Sequence, residues 1–263
     1  LNYQSPPRQL LKPIELGERF FPAGAPCGFY PDEAGRLHPN VTSVLSHRHP
    51  FDIKQWARYE PEGFDCKAAG EAAAAAGTAV HGVLERFLLG EDISSYDPAL
   101  AVWVEPLLAS VSQAKAVVGV ELPIRGEIDG MAYAGSCDAL LLAPDGELVV
   151  VDFKTRRDTS YKKDEPNKPN LKYLTKQKTQ IGAYVFTINS IYADQLHAPA
   201  SRGALLFAVP GMEKPMPVTI AGAELDRYIE EWRDCLQSFY EVHGEAIAQA
   251  QQAFDAGQLE AAA

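Results

Sequence analysis

The sequence predicts an α/β (α+β) chain built on a central mixed β-sheet flanked by helices. Short apolar runs at 116–123, 135–143 and 147–155 lie between turn signals and read as strands. Stretches at 71–89, 176–186 and 222–260 keep apolar residues at helical spacing or are rich in alanine, and read as helices. With 263 residues, of which 46% are apolar and 22% charged, the chain can bury a sizeable core within one elaborated domain.

Residues 1–40 are rich in Pro and Gly and are expected to form an irregular arm ahead of a single domain at 41–263. Pro39-Asn-Val-Thr-Ser-Val-Leu45 offers a helix start, with Thr42 or Ser43 as candidate caps. The backbone N–H groups of such a start can also hold a phosphate. Ile53 to Tyr59 continues in helical style around Trp56. Within 71–89, Val80, Leu84, Phe87 and Leu88 form the apolar stripe. Gly77-Thr78 allows close packing or a short break between two helical pieces. His81 lies on the edge of that stripe, where a histidine is either a hydrogen-bonded core residue or a ligand.

Residues 98–114 follow Pro98 as another helix, and 116–123 as a strand with Glu121 near its end. Glu121 there is either a surface residue or a group that orients a ligand. Gly135 to Ala143 is a strand carrying Asp138, and Ala143-Pro-Asp-Gly146 has the chemistry of a hairpin connection to 147–155. In that last strand Leu148 to Val151 runs straight into Asp152, Phe153 and Lys154, so alternation puts Asp152 and Lys154 on one face. One reading is a simple ion pair at a strand end. The other is that Asp138 and Asp152, on paired strands, bring two carboxylates onto a hard cation such as Mg²⁺ or Mn²⁺. Asp129, in Ile128-Asp-Gly130, is the rival for the role of Asp138.

The net charge of −11 hides a basic stretch: residues 154–178 hold nine Lys or Arg against three acids. Arg156, Arg157, Lys162, Lys163, Lys172, Lys176 and Lys178 are the candidate phosphate contacts, and a solvated loop is the plain alternative. Gln180 and Tyr184 lie one turn apart on the following helix. Later strands are expected at 203–209 and 217–220, and Trp232, Leu236 and Phe239 are core candidates in the final helical stretch. The four cysteines are scattered without a C-x-x-C pair, which suits buried thiols in a reducing compartment. No apolar run is long enough to span a membrane.

Asp138 followed by Asp152-x-Lys154 resembles the core of the PD-(D/E)xK nucleases. Gly77-Thr-Ala-Val-His81-Gly-Val-Leu-Glu85 resembles the histidine helix of the RecB-like and Cas4-like branch, and Gln180-x-x-x-Tyr184 resembles that branch's Q-x-x-x-Y motif. Val41-Thr-Ser-Val-Leu45, followed by Trp56, is most similar to the mitochondrial genome maintenance exonucleases and their bacterial and phage relatives. Together these motifs span residues 39–186.

The resemblance implies a restriction-endonuclease-like core and a metal-dependent exonuclease acting on single-stranded DNA with free ends, in replication, repair or recombination. It implies Mg²⁺ or Mn²⁺ held by His81, Asp138, Asp152 and the carbonyl of Phe153. Lys154, Gln180 and Tyr184 would act with them, and Glu121 would orient water or a ligand. Glu85 is expected to be a structural partner. Relatives with an iron–sulfur cluster use three late cysteines, and only Cys235 lies late here, so no cluster is expected. The alternatives are a structure-dependent endonuclease, the nuclease subunit of a helicase–nuclease complex, and a catalytically idle DNA-binding protein. A replication or recombination protein is a conceivable partner. A bacterial or phage-encoded cytoplasmic protein is expected, with a mitochondrial one left open.

Overall fold

The computed structural model describes residues 3–22, 24–58, 60–156 and 174–258. Its centre is a five-stranded sheet in the order β3 (Ala116–Ile128), β4 (Met131–Leu142), β5 (Leu148–Thr155), β6 (Arg202–Ala208), β7 (Met216–Ala221). All neighbours are antiparallel except β5 and β6, which run parallel. A parallel pair needs a crossover, and helix α5 (Thr175–Ile191) lies between these two strands in the chain. The expected central mixed sheet is therefore present, with helices on both faces.

One face carries α1 (Val41–Arg48), α5 and the 33-residue α6 (Ala223–Asp255). Their apolar sides close over the sheet through Val44, Leu45, Ile181, Ile188, Trp232 and Phe239. The opposite face carries α3 (Cys66–Leu88) and α4 (Ala101–Val111), joined to the sheet through Val80, Leu84, Leu88, Leu107 and Leu108. A five-residue helix, α2 (Ile53–Ala57), precedes α3. Phe153 packs on the α3 side, whereas Val150 packs on the other, as strand alternation requires.

Several expectations are corrected. Residues 1–40 are not irregular throughout: β1 (Phe29–Pro31) and β2 (Leu37–Pro39) form a hairpin, and Phe20, Phe29 and Leu37 belong to the core. Upstream, the Val117 N–H donates to Pro7 and the Gln9 and Leu11 N–H groups donate to Val117 and Val118, so this segment lies along the outer edge of β3. Helix α1 is capped by Asn40, whose side chain accepts from the Ser43 N–H, rather than by Thr42 or Ser43. Three capping residue types fall within four positions here, two of them hydroxyl-bearing, and Asn40 is the one held in extended conformation beside β4. Helix α3 runs through Gly77-Thr78 without a break, and a Cβ on Gly77 would lie 3.5 Å from Thr155 Oγ1. That is ordinary van der Waals contact, so packing of α3 against the end of β5 does not itself require a glycine here. None of the described helices is long and apolar enough to cross a membrane.

Candidate active site

The site lies where β4 and β5 part. Their ladder ends at Ala139↔Val151, so the next pair along it would be Asp138 and Asp152. Instead of continuing the ladder, the Asp138 carboxylate accepts the Phe153 N–H at 2.7 Å. A side chain thereby satisfies a strand amide that the ladder leaves free. On the other side of β4, the register Val120↔Ala139 and Leu122↔Cys137 sets Glu121 opposite Asp138. Glu121 has φ of +40°, a left-handed backbone that non-glycine residues rarely adopt, and its carboxylate accepts from Ser136 Oγ at 2.8 Å. Strain of this kind persists where surrounding structure holds it.

Helix α3 supplies His81. Its Nε2 lies 3.1 Å from the Phe153 carbonyl, which can only accept, so Nε2 carries the proton and Nδ1 faces Asp138 at 3.6 Å. Burial lowers the imidazole's pKa, which favours the neutral form that a metal ligand requires. Donor atoms of His81, Glu121 and Asp138 all lie within 4.8 Å of one another. Burial, together with the neighbouring Asp152 charge, raises the Asp138 pKa well above the usual carboxylate value. A cation would relieve that repulsion. Carboxylates, an imidazole and a main-chain carbonyl form a mainly oxygen donor set, which fits a hard divalent ion.

Lys154 Nζ lies 2.5 Å from Asp152 Oδ2, and the Asp152 side chain is only 1% exposed. Burial works against the ammonium, but the Asp152 and Asp138 carboxylates outweigh it and hold the Lys154 pKa above its ordinary value. Lys154 is therefore charged at neutral pH. On α5 the Gln180 amide donates to the Tyr184 hydroxyl at 2.8 Å. Burial and the nearby Asp152 charge raise the Tyr184 pKa well above normal, so the phenol stays protonated and its own O–H remains a donor.

The other candidates separate. Lys176 Nζ donates to Ser46 Oγ at 2.8 Å, and its pKa is lowered by burial and by Lys154, which places it on the active-site side of α5. Lys178, two residues on, projects the other way, to Glu224 at 2.7 Å and over the Tyr228 ring. Thr42 and Ser43 lie in the first turn of α1, whose last turn carries Ser46. The Arg156 guanidinium lies over the Phe207 ring, and its carbonyl accepts from Trp103 Nε1. Arg157, Lys162, Lys163 and Lys172 fall outside the described residues. Asp129 occupies the β3–β4 hairpin turn with φ of +51°, followed by Gly130 at +80°, so it is a turn residue and not part of the cluster. Ser136 escaped sequence reasoning, although its position two before Asp138 puts it on the same strand face. Burial and the Glu121 charge raise the pKa of Glu85, one turn beyond His81.

No curated protein matches the chain. Among solved structures, it is similar to the crystal structure of a "Putative exonuclease" from Eubacterium rectale, at 14% identity and TM-score 0.39, covering 85% of this chain and 77% of that one. It is also similar to the structure of SSO0001, at 17% identity and TM-score 0.32, covering 73% of this chain and 82% of the other. The family model described as the PD-(D/E)XK nuclease superfamily matches residues 101–260, which include the Asp138 and Asp152-x-Lys154 strands and the Gln180–Tyr184 helix. The chain belongs to the PD-(D/E)XK nuclease superfamily.

Proposed function

We propose that the protein is a Mg²⁺- or Mn²⁺-dependent deoxyribonuclease of the RecB-like branch, related to the mitochondrial genome maintenance exonucleases. On this reading it degrades single-stranded DNA from free ends in replication, repair or recombination. The observation that carries the proposal is the meeting of Asp138, Asp152, Lys154 and His81 where β4 and β5 diverge.

Asp138, Asp152, His81 and the Phe153 carbonyl would hold the metal, which when bound supplies Lewis-acid neutralisation of charge at the scissile phosphate. Lys154 orients the attacking water and stabilises charge building on the phosphate. Its ammonium, held charged by two carboxylates, suits that role better than the role of base. Glu121, fixed by Ser136, accepts a proton or a hydrogen bond from water in the same cluster. Tyr184, braced by Gln180, donates its hydroxyl proton to an acceptor in the site. Lys176 and Arg156 contact the DNA backbone, and the first turn of α1 at Thr42 and Ser43 receives a phosphate.

The test is cleavage of end-labelled linear and circular single-stranded DNA with Mg²⁺, Mn²⁺ or EDTA, with Lys154→Ala alongside. Metal-dependent loss of the linear substrate alone is the expected result. Cutting of circles would replace the exonuclease with an endonuclease. Undiminished turnover by Lys154→Ala, on a preparation free of contaminating nuclease, would remove the assignment altogether.

A further inference from the structure

A second cluster with metal-binding chemistry lies at the C-terminal end of α1. His49 is the residue that caps this helix, and its imidazole is directed at α6. There Glu231 and Cys235 stand one turn apart on one face, as their spacing of four dictates. Donor atoms of His49, Glu231 and Cys235 all lie within 4.8 Å of one another. The His49 side chain is 26% exposed, but its Nε2 is buried from solvent and has no hydrogen-bond partner among the described residues; it lies 3.7 Å from Glu231 Oε1, and Cys235 Sγ lies 3.9 Å from the same oxygen. A buried ring nitrogen with no partner calls for an explanation in a folded protein.

We propose that His49, Glu231 and Cys235 form a zinc site that joins α1 to α6, separate from the carboxylate-rich active site. The donor set decides the class of ion. An imidazole and a thiol beside one carboxylate suit Zn²⁺, or Co²⁺ as its stand-in, and are poor ligands for Mg²⁺ or Mn²⁺. Tetrahedral zinc with ordinary bond lengths needs N···O and O···S separations of about 3.3 and 3.5 Å, so the two contacts to Glu231 have a few tenths of an ångström to close, while His49 and Cys235, within 4.8 Å of each other, must also draw together. Three protein ligands leave the fourth position to water. Arg48 Nε approaches Glu231 Oε1 at 3.3 Å, and rotation of the carboxylate gives one oxygen to Arg48 and the other to the ion.

The site would act as a staple. Helix α1 carries Ser46, the partner of Lys176, so its seating against α6 fixes a side chain beside the active site.

The test is titration of the full chain with Co²⁺, read as the thiolate-to-cobalt charge-transfer band and as d–d absorption of tetrahedral intensity. Zinc stoichiometry is measured in parallel. The wild type is expected to show the band and to bind one zinc in an Asp138→Asn background. The band should survive His81→Ala and vanish in both Cys235→Ser and His49→Ala. Because Cys235 is fully buried, His49→Ala at a helix end, with its circular dichroism unchanged, keeps the test decisive if the serine variant unfolds. Absence of the band in the wild type, or its persistence in a folded His49→Ala variant, would overturn the proposal. Neither readout involves nuclease activity, so the site stands or falls apart from the proposed function.

Discussion

The amide of Phe153 is bonded to the carboxylate of Asp138, fifteen residues upstream, at 2.7 Å. This contact takes over where the β4–β5 ladder stops, and it holds Asp138 beside Asp152 without a metal. Carboxylates clustered in this way lower the stability of the metal-free fold and prepare it for a cation. Stability and function therefore oppose each other at Asp138.

Asp138→Asn is expected to stabilise the metal-free protein while abolishing cleavage. The asparagine oxygen can still accept the Phe153 amide. Below the unfolded carboxylate value of 3.8, Asp138 is protonated in both states and imposes no charge penalty. Because the folded pKa is raised, the stability present at low pH is lost as pH rises through it. The gain from asparagine should thus be near zero in acid and on the order of 1–2 kcal/mol at pH 7. Urea unfolding at both pH values in EDTA measures it, and equal stability of variant and wild type at pH 7 would count against this account.

Lys154→Ala is expected to reduce cleavage by about 10²–10³-fold or more, because it removes a charged donor aimed at the reacting phosphate. Affinity for single-stranded DNA should change little by comparison. Fluorescence anisotropy and single-turnover cleavage on the same preparation separate the two. A parallel loss of both would recast Lys154 as a binding residue.

Lys176 and Lys178 make a matched pair. Lys176→Ala should lower the slope of log affinity against log salt by about 0.7, the value for one lost phosphate contact on a single strand. Lys178→Ala should leave that slope unchanged, because its ammonium is engaged by Glu224. Identical salt dependence in the two variants would contradict the facing of α5 described above.

Gly182→Ala tests the bracing of the Gln180–Tyr184 pair. A Cβ at Gly182 would fall 2.5 Å from the Tyr228 carbonyl oxygen, within the backbone of α6. The two helices must separate to admit it, at a cost of roughly 1–3 kcal/mol. Chemical unfolding should show that loss. Cleavage should fall as well, because the displaced helix carries Tyr184.

The sheet and the heart of the site were legible because strand alternation is local. Asp152 and Lys154 had to share a face, and the Pro-Asp-Gly turn had to pair their strand with that of Asp138. Helical spacing likewise placed Gln180 beside Tyr184. The turn at Asp129-Gly130 was equally local, and its type I′ chemistry could have removed Asp129 from contention sooner. Lys178 was grouped with the basic stretch by counting charge, although two positions along a helix turn a side chain to nearly the opposite side. The meeting of His49 with Glu231 and Cys235 lies across some 180 residues of chain and has no signature in either segment. The backbone of Glu121 was also beyond reach, since no residue type advertises a strained φ that its neighbours impose.

The segment at residues 7–11 borders β3, yet more than a hundred residues separate the two in the chain. During translation this segment emerges long before the strand it will join. It has no β3 amides or carbonyls to pair with while α1, α3 and α4 are made. Its docking must await β3, and it closes an edge that would otherwise invite a strand from another molecule. A bulky fusion placed immediately before it would therefore act on nascent and refolding chains, favouring aggregation, while leaving the chemistry of the finished enzyme untouched.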